Sequence, residues 1–293
     1  MEKQVNVIVL GSSSLLGADI IELFNYENNV RVIGYSHKDL DITKNADILN
    51  VFEGTKGSIT HVINCVAISD IKQCENEPRL AFKINSESVK NLSEVCLKEQ
   101  IHLTHVSCDN IFEGLKKEPY LEQDETIPLN VYGKSKLAGE GFVRNMGNKG
   151  LVIRSSSLYG KHKKNLIDTL LNKLDLAIRV KVVSDIISCP TYTMDLANTI
   201  IQLALNYKSG VFNVVNAGQC SMYEFTAKAA EYMKLNKNLI IPIKYSEQDT
   251  KIEIPKYSAL STNRIDRTLP EPVRKWEDAL YQFLIETKRL YEY

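Results

Sequence analysis

Tyr132 and Lys136 stand four residues apart in Tyr132-Gly133-Lys134-Ser135-Lys136, a spacing that places both side chains on one face of a helix. A phenol beside an ammonium group is equipped for carbonyl chemistry. The cation lowers the cost of ionising a hydroxyl whose ordinary pKa is about 10, and the tyrosine can pass its proton to a carbonyl oxygen as the carbon is reduced. Upstream, Val106-Ser107-Cys108-Asp109-Asn110 follows a strand-like run and belongs opposite that helix, where a hydroxyl would orient the oxygen. Consecutive strand side chains point to opposite faces, so one of Ser107 and Cys108 is expected to face the reacting centre. If it is Cys108, the orientation is weaker, because a thiol is a poor hydrogen-bond donor. No histidine can be assigned as the base that would make Cys108 a nucleophile. The other five cysteines read as buried and inert.

An isolated Tyr-x-x-x-Lys is a common surface-helix spacing, and what gives it weight here is the start of the chain. Gly11-Ser12-Ser13-Ser14-Leu15-Leu16-Gly17 directly follows the apolar run Val5–Leu10 and opens the next helix. A tight turn in that place aims backbone N–H groups and the positive helix end at a pyrophosphate. Gly11 permits the turn, Gly17 lets helix and sheet approach, and Ser13, Ser14, Leu15 and Leu16 lie between them. Ser14 stands where glycine would let the phosphates come closest. The competing reading is an ordinary strand-to-helix turn. With a dinucleotide in the turn, Lys136 is also placed to hold the nicotinamide ribose hydroxyls.

Past the second strand the chain reads Tyr35-Ser36-His37-Lys38, with no acid until Asp39. A carboxylate there would bind the adenosine ribose and repel a 2′-phosphate. Ser36 and Lys38 therefore tilt the expectation from NAD(H) toward NADP(H), a solvated loop role for Lys38 being the alternative. Asp41 and Ile42 are expected on the adenine side, unless Asp41 caps the following helix.

These groups need a scaffold. Val30–Gly34, His61–Asn64, Leu103–Val106 and Leu151–Ile153 read as further strands. Leu15–Tyr26, Pro78–Leu97 and Val131–Val143 read as helices, the second long and the third carrying Tyr132. The alternation predicts an α/β fold, a Rossmann-type doubly wound parallel sheet covered on both faces. It spans residues 1–155 and receives roughly 190–215 as well. Residues 156–293 are expected to form mainly a smaller substrate-binding lobe. Helices are read there at Leu166–Leu176, Met194–Leu205 and from Trp276 onward, with a strand at Val211–Val215. Ser221 and Glu224 form a capping-box signature for a helix through Met233. Ile240–Pro272 shows little periodicity.

Composition narrows the function classes. The 36 basic and 36 acidic side chains cancel, which argues against a nucleic-acid surface. No run approaches the roughly 20 apolar residues that span a membrane, and no signal-peptide pattern precedes the first strand. Cysteines at 65, 74, 96, 108, 189 and 220 show neither metal-like pairing nor a disulfide framework, so a cytoplasmic setting and no metal are expected. Histidines 37, 61, 102, 105 and 162 read as loop and strand residues rather than ligands. No coiled-coil pattern fixes the oligomeric state, and a homodimer is compatible with the sequence.

The order of these blocks resembles the RmlD-type branch of the extended short-chain dehydrogenases/reductases, the dTDP-4-dehydrorhamnose reductases and related nucleotide-sugar reductases. The resemblance covers essentially the whole chain. It runs through Leu40-Asp41-Ile42-Thr43, Val62-Ile63-Asn64-Cys65-Val66-Ala67, Cys74–Pro78, Ser107-Cys108-Asp109, Leu129–Glu140, Leu158-Tyr159-Gly160 and Cys189-Pro190-Thr191-Tyr192, with Leu129–Glu140 the most specific block. It implies hydride transfer from NADPH or NADH to C4 of a nucleotide-linked 4-keto-6-deoxyhexose. Tyr132 would be the proton donor and Lys136 its electrostatic partner. Cys108 would stand where the family carries an oxygen-orienting threonine or serine, and Asp109 would be an acid beside the sugar. Ser14, Leu15, Leu16, Asp41, Ile42, Val66, Ala67 and Ile68 map onto cofactor-binding stretches.

The chain departs from that family at Ser14 and Cys108, and at Ser157, where a tryptophan usually lies beside the substrate. Ile254-Pro255-Lys256 also lacks the usual Arg-Pro, leaving Lys256 as a candidate charge for the diphosphate without arginine's rigid fork. These departures keep open a catalytically weak regulatory subunit that binds cofactor or nucleotide sugar on the same fold. An epimerase or dehydratase ranks lower, because Asp109 is the one carboxylate near Cys108.

Overall fold

The computed structural model describes residues 4–27, 29–54, 58–287 and 289. In chain order the first elements are β1 (Val5–Leu10), α1 (Leu15–Phe24), β2 (Val30–Tyr35), α2 (Asn45–Gly54) and β3 (His61–Asn64). They continue with α3 (Ile71–Asn76), α4 (Pro78–Phe82), α5 (Ser88–Lys98), β4 (His102–Cys108), α6 (Val131–Arg144) and β5 (Gly150–Ser155). After β6 (Leu158–Tyr159), α7 (Leu166–Asp175), β7 (Val180–Val183), β8 (Ile187–Ser188), β9 (Thr191–Tyr192) and α8 (Thr193–Leu205), β10 (Gly210–Asn213) returns to the main sheet. The order across that sheet is β10-β5-β4-β3-β1-β2, with every neighbour parallel. The winding therefore reverses between β1 and β3. In an open α/β sheet this is where a crevice forms at the carboxyl ends of the strands, and Gly11 and Cys65 stand at those two ends.

Val7, Val9 and Ile63 pack with Leu16, Ile20, Leu196 and Ile200 of α1 and α8. Ile8, Leu10 and Val62 pack on the opposite face with Val89 and Leu92 of α5 and Val143 of α6. Coverage on both faces explains why Val7–Leu10 and Leu151–Ile153 read as continuous apolar runs rather than alternating ones.

The long helix expected over Pro78–Leu97 is interrupted. Lys83–Glu87 forms a π-helical turn between α4 and α5, a local widening that apolar spacing does not encode. Buried Asn85 lies on this turn. Its side chain accepts from the Ile68 N–H and donates to the Ile68 carbonyl and to Ser135 Oγ on α6.

The second lobe adds β11 (Cys220–Ser221), α9 (Met222–Tyr232), β12 (Ile240–Ile243), α10 (Asn263–Asp266) and α11 (Trp276–Glu286). Ser221 and Glu224 form the expected reciprocal cap of α9. β12 lies in the stretch without periodicity and pairs in parallel with β7; a four-residue strand is too short to show a repeat. Tyr159, Phe225, Trp276 and Phe283 centre the core of this lobe. Cys108, Phe112, Tyr120, Cys189 and Leu260 form a smaller cluster that joins β4 to it. Among the described residues no helix is long and apolar enough to cross a membrane.

Candidate active site

Gly11 adopts φ +77°, and a Cβ there would lie 3.1–3.3 Å from the Cys65–Val66 backbone. A Cβ on Gly17 would come within 2.2 Å of the Gly11 carbonyl oxygen. Both glycines are thus required by close backbone approach. Ser14 is not a misfit in the turn. Its backbone is extended (φ −73°, ψ 168°), and its Oγ accepts the Gly17 N–H as the N-cap of α1. The side chain satisfies an amide that the helix cannot pair itself.

A cleft of about 560 Å³ beside this turn is lined by Gly11, Ser13, Ser14, Ser36, Lys38, Asp41, Ile42, Val66 and Ala67 among others. Lys163 reaches the same cleft from the loop after β6, a position its place in the sequence does not suggest. Three expectations need correction here. Ser36 is not free for a phosphate, because its hydroxyl and backbone N–H both donate to Asp39 Oδ2, at 2.6 and 2.8 Å. Asp41 does not cap α2; its carboxylate accepts from the Thr43 N–H and hydroxyl in a local turn. Ile68 lies outside the lining, its backbone N–H and carbonyl both bonded to Asn85.

An adjoining cavity of about 520 Å³ shares Ser14, Cys65 and Ala67 with that cleft. Its wall brings together Leu15, Leu16, Tyr132, Lys136, Cys108, Asp109 and Ser157. The paired cavities, the tight glycine turn and the capped helix end have the form an extended dinucleotide needs, with Tyr132 and Lys136 on the wall of the second cavity.

Several contacts fix the helix that carries Tyr132. Asn130 caps α6 by accepting the Gly133 N–H at 2.8 Å, and its amide donates to the Glu253 carbonyl. Glu75 accepts the Val131 N–H at 2.7 Å. Deeper in the helix, Glu140 pairs with Arg154 of β5, both buried. Gly133 lets α6 seat against the loop after β4, since a Cβ there would sit 2.1 Å from the Asn110 carbonyl oxygen.

Tyr132 packs against the cluster that contains Cys108, and both line the cavity. Burial, with Cys108 adding to it, holds the Tyr132 phenol well above its ordinary pKa, and burial pushes the Cys108 thiol up to about 12. Burial draws the Lys136 ammonium down to about 8. Its Nζ donates to the Val106 carbonyl at 2.6 Å and lies 3.3 Å from His105 Nε2. The expected easing of Tyr132 ionisation by Lys136 is therefore not the balance seen here; desolvation keeps the phenol protonated, the form that donates a proton.

Ser107 and Cys108 both contribute atoms to the cavity at the end of β4, while the Ser107 hydroxyl oxygen is itself buried. Ser107 Oγ and Ser155 Oγ are buried, lack a hydrogen-bond partner and border this space. Asp109 is not a free acid beside a sugar. Its Oδ2 accepts from Ser156 Oγ and Ser258 Oγ, each at 2.6 Å, and Asn110 donates to Oδ1 at 3.0 Å. Burial raises its pKa. The carboxylate thereby ties β4, the end of β5 and the segment around Ser258 together.

Ser157 sits at φ +46°, and its Oγ shares a 2.7 Å hydrogen bond with Ser188 Oγ on the cavity wall. Lys256 is exposed, and Ile254, Pro255 and Ser258 form the wall in its place. Asn85, Ser156, Ser188 and Ser258 went unnoticed in the sequence because single polar residues carry no motif. The six cysteines are all free thiols. Away from the cavity, Asp19, Glu22 and His162 bring ligand-type atoms within 4.8 Å of one another, a convergence across the fold that spacing could not reveal. Lys161 already pairs with Glu22 there at 2.7 Å.

Comparison with known proteins agrees with this geometry. The family model described as the RmlD substrate binding domain matches residues 5–289. The spore coat polysaccharide biosynthesis protein SpsK of Bacillus subtilis is 31% identical, over 96% of this chain and 97% of that protein. A dTDP-4-keto-6-deoxy-D-glucose reductase of Streptomyces niveus is 30% identical, over 94% and 95%. The crystal structure of a dTDP-4-dehydrorhamnose reductase from Bacillus anthracis in complex with NADP superposes with a TM-score of 0.91 at 32% identity, covering 97% of this chain and 100% of that one. Family match, shared fold and a cavity built around Tyr132 and Lys136 agree: the chain belongs to the RmlD-type dTDP-4-dehydrorhamnose reductase family and is an NAD(P)-dependent oxidoreductase.

Proposed function

We propose that this protein reduces the C4 keto group of a nucleoside-diphosphate-linked 4-keto-6-deoxyhexose to an alcohol. The observation that carries the reading is the half-buried Tyr132, its phenol kept protonated by desolvation, in a cavity that adjoins the dinucleotide turn and also holds Lys136. The names of relatives from Streptomyces niveus and Aggregatibacter actinomycetemcomitans point to the same substrate class. The nicotinamide supplies the hydride when bound. Gly11, Ser13, Ser14, Leu15, Leu16 and Gly17 form the pyrophosphate turn, and Ile42, Val66 and Ala67 border the adenosine cleft. Lys136 holds the nicotinamide ribose. Tyr132 gives its proton to the oxygen at C4. Ser107 contributes the oxygen-orienting hydrogen bond that the Cys108 thiol makes poorly. Ser157 widens the sugar side of the cavity.

Residues 1–155 with roughly 190–215 form the dinucleotide-binding domain in this reading, and the remainder of 156–293 forms the substrate lobe. Both cofactors are accepted. Lys38 and Lys163 at the adenosine cleft favour NADPH, while the Ser36–Asp39 pair keeps NADH competitive. The test is the fall in NADPH or NADH absorbance when the protein meets dTDP-4-keto-6-deoxyglucose, with Tyr132→Phe beside it. Turnover that the variant loses supports the reductase. Cofactor binding without turnover on any nucleotide sugar in a panel moves the assignment to a regulatory subunit.

A further inference from the structure

A buried polar chain runs from the end of β3 to Lys136, and its hydrogen-bond polarity can be read from one end. Asn64, His105 and Lys136 are all buried, at 0, 0 and 2% exposure. The Val66 N–H donates to Asn64 Oδ1 at 3.0 Å, which sets the orientation of the Asn64 amide. Its NH₂ group then faces His105 Nδ1 at 3.2 Å, so Nδ1 is the bare, accepting nitrogen of that ring. The proton of the neutral imidazole therefore sits on Nε2, which points at Lys136 Nζ across 3.3 Å. An ammonium has donors only, whereas a neutral amine can accept the His105 N–H and still donate to the Val106 carbonyl at 2.6 Å.

We infer that Asn64 and His105 are positioning residues whose donated hydrogen bond favours the neutral amine of Lys136 in the free protein. A hydrogen bond to the neutral form disfavours the charged one. The other titratable groups that act on Lys136 are Cys108 on β4, Cys65 just after β3, and Glu140 on α6 itself; Tyr132 shares its helix and its cavity. The thiols are held protonated by burial, and Glu140 is committed to Arg154. His105 itself is kept neutral by burial and by Lys136. The role assigned to the chain acts on the cation credited with holding the ribose and supporting Tyr132, and so rests on the reductase reading for its consequence, though not for its test.

The test is the ionisation midpoint of Lys136, read from its side-chain Cε shift by NMR of lysine-labelled protein, with Lys136→Met for assignment. In the wild type the midpoint is expected near the value of about 8 that burial imposes. His105→Leu removes the donor and should raise it by about 1 unit. His105→Gln replaces the Nε2 donor with an amide N–H and should restore the wild-type midpoint. Asn64→Asp keeps an acceptor for Val66 but forces the His105 proton to Nδ1, leaving Nε2 to accept, and should raise the midpoint at least as far as His105→Leu. A folded His105→Leu variant that titrates with the wild type overturns the inference, as does a Gln variant that moves as far as Leu. With a reducible sugar in hand, the alkaline limb of kcat/KM should shift with the midpoint. Absence of turnover in every variant would count against the reductase reading, while the NMR midpoints would still decide the role of His105.

Discussion

Replacing Gly133 by alanine should push the helix that carries Tyr132 away from the loop that faces it. The added Cβ would lie 2.1 Å from the Asn110 carbonyl oxygen, 2.9 Å from its carbon and 3.0 Å from Pro128 Cβ. Carbon–oxygen contacts settle at roughly 3.3 Å or more, so helix and loop must part by about 1 Å. Neither side gives easily: Asn130 and Glu75 hold the start of α6, and Asp109 beside Asn110 is bound by Ser156 and Ser258. The movement separates Tyr132 from Cys108 and from the position of the substrate oxygen, and a displacement of about 1 Å costs on the order of 10²-fold in rate. Stability should respond less. Overpacking costs about 1–3 kcal/mol, but alanine recovers up to about 1 kcal/mol of helix propensity over glycine. The assay is kcat at saturating NADPH and sugar nucleotide, paired with urea unfolding. A variant with wild-type kcat would show that the close approach of α6 to Asn110 does not set the position of Tyr132.

Other consequences follow from single contacts. Cys108→Thr adds a second hydroxyl donor beside Tyr132 to that of Ser107 and should raise kcat about 5-fold, the worth of about 1 kcal/mol in one hydrogen bond; an unchanged or lower kcat in steady-state assays would show that position 108 does not contact the substrate oxygen. Glu140→Gln leaves the buried Arg154 guanidinium without its anion and should cost about 3–5 kcal/mol in urea unfolding. Burial lowers the His61 pKa from 6.5 to about 4, so the unfolded chain binds the extra proton between those values. The stability associated with neutral His61 is complete above pH 6.5 and is lost as pH falls toward 4, up to about 3 kcal/mol. His61→Phe should flatten that part of a Tm-against-pH curve, and a wild-type acid slope in the variant would remove His61 as its source.

What was legible in the sequence is what depends on local order. Val5–Leu10 followed by a glycine turn, Ser221 three residues before Glu224, and Tyr132 four residues before Lys136 are each written within one strand, cap or helix turn. Helix and strand periodicity convert such spacing directly into shared faces. The six-stranded parallel sheet was legible from its apolar runs, among them Val7–Leu10, Val62-Ile63 and Leu151–Ile153, alternating with helices. Contacts between distant segments were decided only by the tertiary structure. The π-turn at Lys83–Glu87 brings Asn85 to Ile68 and Ser135. The folding of Asp39 onto Ser36 removes that hydroxyl from any phosphate. Asp109, motif-like in sequence, is consumed by Ser156 and Ser258 from two other segments. Protonation belongs to the same class. Spacing suggested that Lys136 would ease the ionisation of Tyr132, but charge depends on burial and on partners from every side. Those partners, Cys108 for the phenol and Val106 and His105 for the amine, meet only when β4 and α6 have packed together.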